Sequence, residues 1–291
     1  MPDYNKSVNR VFTKKVIYEL ISKGSNEVYD FVVKRFLVDT ESKTNGELIS
    51  EIYTHLSKSY RNEYYYTNTL LNKLLVGIHS VTTTTALSQV RIADHIADFV
   101  MLNGDGKVYE IKSDLDNFER LNDQLYDYYK AFSYVSVLTS EHELFHVEQV
   151  LDKLNDMGSS VGIYVLSEKG TIFSKTKGRP PKRFDDNLDY TCLFNLLRKS
   201  EYTKLISTHF GYTPDVAPAF YYKECLKLFS ELDILTAQKL TFDELKKRNK
   251  ISKQELKKIP AELRSVIYFS DYINRSEEIN QFFDRLYEGG N

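Results

Sequence analysis

The sequence predicts a mixed α/β protein, a central sheet carrying helices, with helical extensions at both ends. Three observations carry this. Apolar residues recur at helical spacing from Val8 to Val76, and the pattern then changes to short β-branched and alternating runs between Val81 and Ile111. Strand-like and helix-like runs alternate from there to Ser174, the order expected of an α/β core. Beyond a basic, proline-bearing stretch the helical period returns and runs from Leu188 to Tyr287.

The elements follow in order. Val8, Val11, Phe12 and Val16 share one helical face, as do Val28, Phe31, Val32 and Phe36 in the next segment. The turn formers of Asp39 to Gly46 break the pattern, Glu47 to Leu56 resumes it, and Asn62 to Val76 repeats it through Leu70, Leu71, Leu74 and Leu75. Val81 to Thr85 is β-branched and Val90 to Ile96 alternates. Phe99 to Leu102 and Val108 to Ile111 are apolar runs around an Asn-Gly-Asp-Gly turn, which makes a hairpin. Asn117 to Phe132 is helical, with Phe118, Leu121, Leu125 and Tyr128 on one side; Tyr134 to Leu138 is a buried strand. Glu141 to Met157 is a further helix, and Val161 to Leu166 pairs with Thr171 to Ser174 across Ser167 to Gly170.

The chain therefore divides into a helical extension over 1–60, a core over 61–175, a basic linker over 176–187 and a helical C-terminal region over 188–291. The last is expected to stand as a separate lobe. The 42% hydrophobic and 27% charged content is that of a soluble globular protein. No apolar run approaches the ~20 residues of a bilayer span, and the N-terminus lacks a signal-peptide pattern, so a cytoplasmic location is expected. Cys192 and Cys225 have no metal-ligand spacing and read as reduced. With a net charge of −2, any polyanion must meet a local concentration of positive charge.

The chemistry lies in the hairpin. Asp98 opens one apolar run, and Glu110 and Lys112, two apart, project from one face of the other. Two carboxylates from adjacent strands supply the hard oxygens that Mg²⁺ or Mn²⁺ requires, and few protein ligands suffice because such an ion keeps waters and takes phosphate oxygens. A lysine beside them can position a water or offset charge developing at phosphorus. A polar stripe on a half-exposed strand is the bland account of the same residues.

Asp98, eleven intervening residues, and then Glu110-Ile111-Lys112 resemble the PD-(D/E)xK nuclease superfamily, with Ala97 where many members have proline. Gln124 and Tyr128 resemble the Gln-x-x-x-Tyr element of RecB-like nucleases. The longer run through Tyr109, Asp114, Arg120, Leu121 and Phe132 is similar to a small group of uncharacterised bacterial and phage nuclease-like proteins, over about Glu51 to Ser174. The resemblance implies a restriction-endonuclease-like core of a helix, three strands, a helix and a strand. It implies a Mg²⁺- or Mn²⁺-dependent nuclease acting on DNA before RNA, with Asp98 and Glu110 as metal ligands and Lys112 at the water. Gln124 and Tyr128 would then shape the substrate side. It also implies a third acid from the preceding helix: Glu63 first, with Glu51 and Glu47 as alternatives. Ser113 and Asp114 either orient Lys112 or close a turn. The alternative function is an inactive nuclease-like module that binds nucleic acid or a protein partner; a helical interaction protein with a purely structural core is the third.

Other signals are weaker. Gly178-Arg179-Pro180 among Lys175, Lys177, Lys182 and Arg183 resembles an AT-hook core, although an exposed basic interdomain loop is the better reading. That loop and the Lys246–Lys250 cluster are expected to form the nucleic-acid approach. His142 and His146 share a helical face but lack a third zinc ligand at familiar spacing. Neither a phosphate-binding Gly-x-x-x-x-Gly-Lys-Ser/Thr loop nor a Gly-x-Ser-x-Gly elbow occurs.

Overall fold

A computed structural model describes residues 4–78, 83–174, 176–248, 251–270 and 275–289. One mixed sheet of six strands runs in the order β1-β2-β3-β4-β5-β6, where β1 is Thr85–Ile92, β2 His95–Asn103, β3 Asp105–Lys112, β4 Tyr134–Ser140, β5 Gly162–Leu166 and β6 Ile172–Phe173. β1, β2 and β3 form an antiparallel meander; β4 and β5 continue parallel to β3, and β6 turns back antiparallel on β5. The parallel steps need crossovers, which helices supply.

On one face lie α1 (Tyr4–Val11), α2 (Lys14–Lys23), α3 (Glu27–Phe36), α4 (Asn45–Ser59) and α5 (Glu63–Leu71), the last continuing as a π-helical turn over Asn72–Ile78. They bury Tyr66, Leu70 and Leu71 with Phe99, Met101, Tyr109 and Ile111 of the sheet. The other face carries α6 (Leu121–Tyr129), α7 (Leu144–Leu151) and α8 (Asn155–Ser160), packed with Val100, Leu102, Val108, Val135 and Val137. Alternation along β2 and β3 sends neighbouring side chains to opposite cores.

The helical ends follow their caps. Thr44 and Glu47 form a capping box that starts α4, and the Asn62 side chain accepts the Tyr65 N–H to start α5. The break at Thr13, whose hydroxyl caps α2, divides the single helix expected over Val8 to Val16 into α1 and α2.

Four expectations are corrected. Val90 to Ile96 is not one strand: it folds at Ala93-Asp94, joining β1 to β2, with Ala93 at φ 50°. Two-residue hairpins usually give that conformation to glycine, so the sequence carries no turn signal there. The Asp94 N–H donates to Asp127 Oδ2 at 3.1 Å, and His95 Nδ1 lies 2.7 Å from the same oxygen, so α6 holds the turn. The helix expected from Asn117 begins only at Leu121, because Ser113–Asp116 forms a hydrogen-bonded turn first. The helix expected over Glu141 to Met157 is broken into α7 and α8 by a 3-10 turn at Asp152–Leu154.

The remaining correction concerns the linker and tail. Arg179 pairs with Ile163 as a β-bridge, its guanidinium donates to the carbonyls of Val161 and Gly158, and a Cβ on Gly178 would sit 2.1 Å from the Ile163 carbonyl oxygen. The stretch therefore packs on β5. The tail is helical, as α9 (Tyr190–Asn195), α10 (Lys199–Phe210), α11 (Pro218–Phe229), α12 (Ile234–Leu245), α13 (Lys253–Lys258), α14 (Arg264–Tyr268) and α15 (Ser276–Asp284). It is not a separate lobe. Phe194, Phe229 and Phe242 join the α6 core, whereas Leu256, Ile267 and Phe282 join the core of the N-terminal helices. A Cβ on Gly106 would lie 2.6 Å from the Phe242 ring and 2.8 Å from Phe132, two rings that stack at 5.0 Å. Gly106→Ala should overpack this contact at a cost of about 1–3 kcal/mol, read as a lower thermal midpoint. An unchanged midpoint would mean that α12 gives way freely.

Candidate active site

The register of the β2–β3 hairpin builds the site. Pairing runs from Asn103↔Asp105 to Phe99↔Tyr109. Continued by one step, it sets Asp98 opposite Glu110, and there Asp98 Oδ2 accepts the Ile111 N–H at 2.8 Å. Cross-strand neighbours project to the same side. Glu110 and Lys112 alternate with Tyr109 and Ile111, which enter the other core, so both face α6.

From α6, one turn apart, come Gln124 and Tyr128. Lys112 Nζ donates to Glu110 Oε1 and to Gln124 Oε1, each at 2.9 Å. The Tyr128 hydroxyl donates to Glu110 Oε2 at 2.6 Å and lies 2.9 Å from the Ile96 carbonyl oxygen. Glu110 and Lys112 are 1% and 7% exposed, so this ion pair and its hydrogen bonds are held away from solvent. A buried pair is costly when either partner is removed, and Gln124 and Tyr128 fix its geometry.

Electrostatically the site has more acid than base. Burial, then Glu110 and Glu63, push the Asp98 carboxyl up to about 8, against the Ile111 N–H and Lys112. The Glu63 carboxyl is raised by crowding protein, then by Asp116 and Glu110, with Lys112 opposing. The Tyr128 hydroxyl is raised by burial and by Glu110, and so stays a donor. Acids that hold their protons this strongly are groups whose ionised form lacks a positive partner.

Glu63, at the first turn of α5, stands at the exposed rim and accepts a hydrogen bond from Gln89 Nε2 at 3.3 Å. Glu47 is committed to its capping box and Glu51 pairs with Lys43 at 2.8 Å. Among the described residues no group of three or more His, Cys, Asp or Glu side chains is placed to hold a metal ion. Glu63 therefore stands beside Asp98 and Glu110 without completing a three-carboxylate cage with them. Two hard carboxylates, of which Asp98 has no cationic partner within salt-bridge distance among the described residues, still fit a Mg²⁺- or Mn²⁺-type ion that takes its remaining ligands from water and phosphate.

Ser113 does not orient Lys112: its N–H and hydroxyl donate to Asp116 at 2.9 and 2.6 Å and close the turn, while Asp114 is exposed. His142 lies 3.7 Å from Glu168 and His146 lies 2.6 Å from Glu143, and among the described residues neither pair gathers a third ligand.

One residue of the site was not anticipated. Gln89 interrupts the β1–β2 pairing between Ser88↔Phe99 and Val90↔Ala97, at φ 54°. The register sets it across from Asp98, so Gln89, Asp98 and Glu110 form a row over three strands. A non-glycine residue at positive φ inside a strand is strained, and such strain gathers at functional sites. Nothing in a lone glutamine announces this.

A family model described as Bacteriophage P4 protein cII matches residues 57–267, a span that includes α5, the whole sheet and every site residue named above. Comparison with curated proteins and with solved structures gives no match.

Proposed function

We propose, for a chain that belongs to the bacteriophage P4 protein cII family, metal-dependent hydrolysis of phosphodiester bonds in DNA on a restriction-endonuclease-like core of the PD-(D/E)xK type. The order α5-β1-β2-β3-α6-β4 supports that core. The observation that carries the activity is the meeting of Asp98, Glu110 and Lys112 at one strand end, with the Asp98 carboxyl raised by burial and by the neighbouring acids Glu110 and Glu63.

Asp98 and Glu110 would hold a divalent cation, whose chemistry there is to acidify a water and offset charge on the phosphate. The chain's own groups do the rest. Lys112 presents a fixed ammonium where negative charge grows at phosphorus. Gln124 holds that ammonium and Tyr128 holds Glu110, so neither must reorganise during the reaction. Glu63 and Gln89 flank the entrance.

The test incubates the purified chain with plasmid and linear DNA, with Mg²⁺, Mn²⁺ or EDTA, alongside the Glu110→Gln variant. Cleavage that needs the ion and vanishes in the variant is expected. Intact DNA under every metal condition, with DNA binding retained, would replace the reading by a nuclease-like binding module.

A further inference from the structure

The open edge of the sheet carries a groove that no step above uses. It has a volume of about 700 Å³ and is bounded by Leu87 to Arg91 of β1, by the α9–α10 junction and by the segment after α12. Among the described residues its lining contains Lys14, Arg91, Arg198, Lys247 and Arg248, and no aspartate or glutamate. Two other cavities differ. The cavity near the chain ends mixes Arg10, Lys15, Lys23 and Arg285 with Glu19, Glu27, Asp30 and Glu288, and the one beside Phe242 mixes Lys246 with Asp105 and Asp243. A chain of net charge −2 has thus gathered five cations around one groove.

The cations differ in their engagement. Arg248 is tied to Glu201 at 2.8 Å and Lys247 to Glu244, so these two are held in place. Lys14, Arg91 and Arg198 are exposed, and among the described residues none of their side chains forms a salt bridge, although the Arg198 N–H donates to Glu201 Oε2 at 2.7 Å. The groove also leads somewhere. Gln89 lines it, and the same side chain donates to Glu63 at the rim of the acid site, across from Asp98. A groove lined by cations, with Gln89 linking it to Glu63 at the rim of the acid pair, suits a phosphate track.

We propose that this β1-edge groove binds the sugar–phosphate backbone of DNA and leads it to Asp98 and Glu110, with Lys14, Arg91 and Arg198 as its phosphate contacts. This rests on the nuclease reading for its direction of travel, but not for its binding. It also displaces the basic loop, three of whose cations are already used: Arg179 on carbonyls, Lys177 on Glu141 at 2.8 Å and Arg183 on Asp185 at 2.6 Å; Lys182 is exposed, and Lys175 lies outside the described residues. Of the Lys246–Lys250 cluster, Lys247 and Arg248 reach the groove, whereas Lys246 lines the cavity beside Phe242.

The experiment is a fluorescence-anisotropy salt series with a labelled DNA duplex and the full chain in Ca²⁺, so that binding is read without cutting. A groove variant, Lys14→Gln with Arg91→Gln and Arg198→Gln, is compared with a loop variant, Lys177→Gln with Lys182→Gln and Arg183→Gln. The groove variant should bind at least about tenfold more weakly, with the log–log salt slope flatter by about 0.9 per lost phosphate contact. The loop variant should follow wild type. Matching thermal midpoints establish that both are folded, and the single Arg91→Gln variant gives the same direction should the triple not fold. Wild-type binding by the groove variant, or no DNA binding by wild type, overturns the track. If the groove variant loses affinity and wild type never cuts, the track stands and the nuclease reading falls. If wild type cuts and the groove variant binds normally, the reverse holds.

Discussion

Asp98→Asn should abolish cleavage, by about 10²–10³-fold or more, and at the same time raise the thermal midpoint of the metal-free protein. An aspartate in the unfolded chain titrates near ~3.9, whereas in the folded protein Asp98 is pushed up to about 8 by burial, Glu110 and Glu63. Between those values the native state keeps a proton that the unfolded chain has released. Stability therefore falls as pH rises through that window, and the loss is complete above the folded value. The asparagine variant has no proton to lose and keeps an acceptor for the Ile111 N–H. Its advantage should be absent near about pH 4 and widest from about pH 8, amounting to about 3 °C or more. Mn²⁺ should raise the wild-type midpoint, because an ion that binds only the folded state stabilises it, and should leave the variant unmoved. A variant melting below wild type at pH 8 without metal would show that Asp98 is not held against its charge.

Lys112→Met should also end cleavage, but with the opposite effect on stability. The lysine is buried, and its ammonium is the group that makes a buried Glu110 carboxylate tolerable. Removing one partner of such a pair costs about 3–5 kcal/mol, because the other charge remains without compensation. The midpoint should fall by about 6 °C or more. Adding Asp98→Asn to Lys112→Met should recover part of the loss, since the two substitutions act on one electrostatic cluster and are not additive. A midpoint equal to wild type would show that Glu110 does not depend on this lysine. Loss of activity with opposite stability shifts would separate a buried acid–lysine cluster from a polar stripe.

Much of this site was legible before the structure. Glu110 and Lys112 share a face because strand residues two apart always do, and Gln124 and Tyr128 meet the same point because helix residues four apart lie one turn above another. Asp98 follows from the hairpin register, since the apolar runs around Asn103 and Gly104 leave one good pairing. Gln89 was not legible. Its place depends on a β1–β2 turn at Ala93, whose φ of 50° has no sequence mark and is held by Asp94 and His95 on Asp127 of α6. Only the packing of a distant helix decides that register.

By itself the sequence determined the α/β class, the order of helices and strands around the hairpin and the identity of the acid–lysine pair, because these depend on local periodicity and covalent spacing. The tertiary structure decided the rest. It split the helical tail between two cores, where Phe242 and Phe132 close over Gly106 on one side of the sheet while Leu256 and Phe282 pack on the other. It committed Arg179 to carbonyls of the β5 neighbourhood and brought Lys14, Arg91 and Arg198, from three remote stretches of chain, to one groove. Spacing along the chain fixes which faces are apolar; which faces meet is fixed only when long-range burial outweighs the entropy of closing the loops between them.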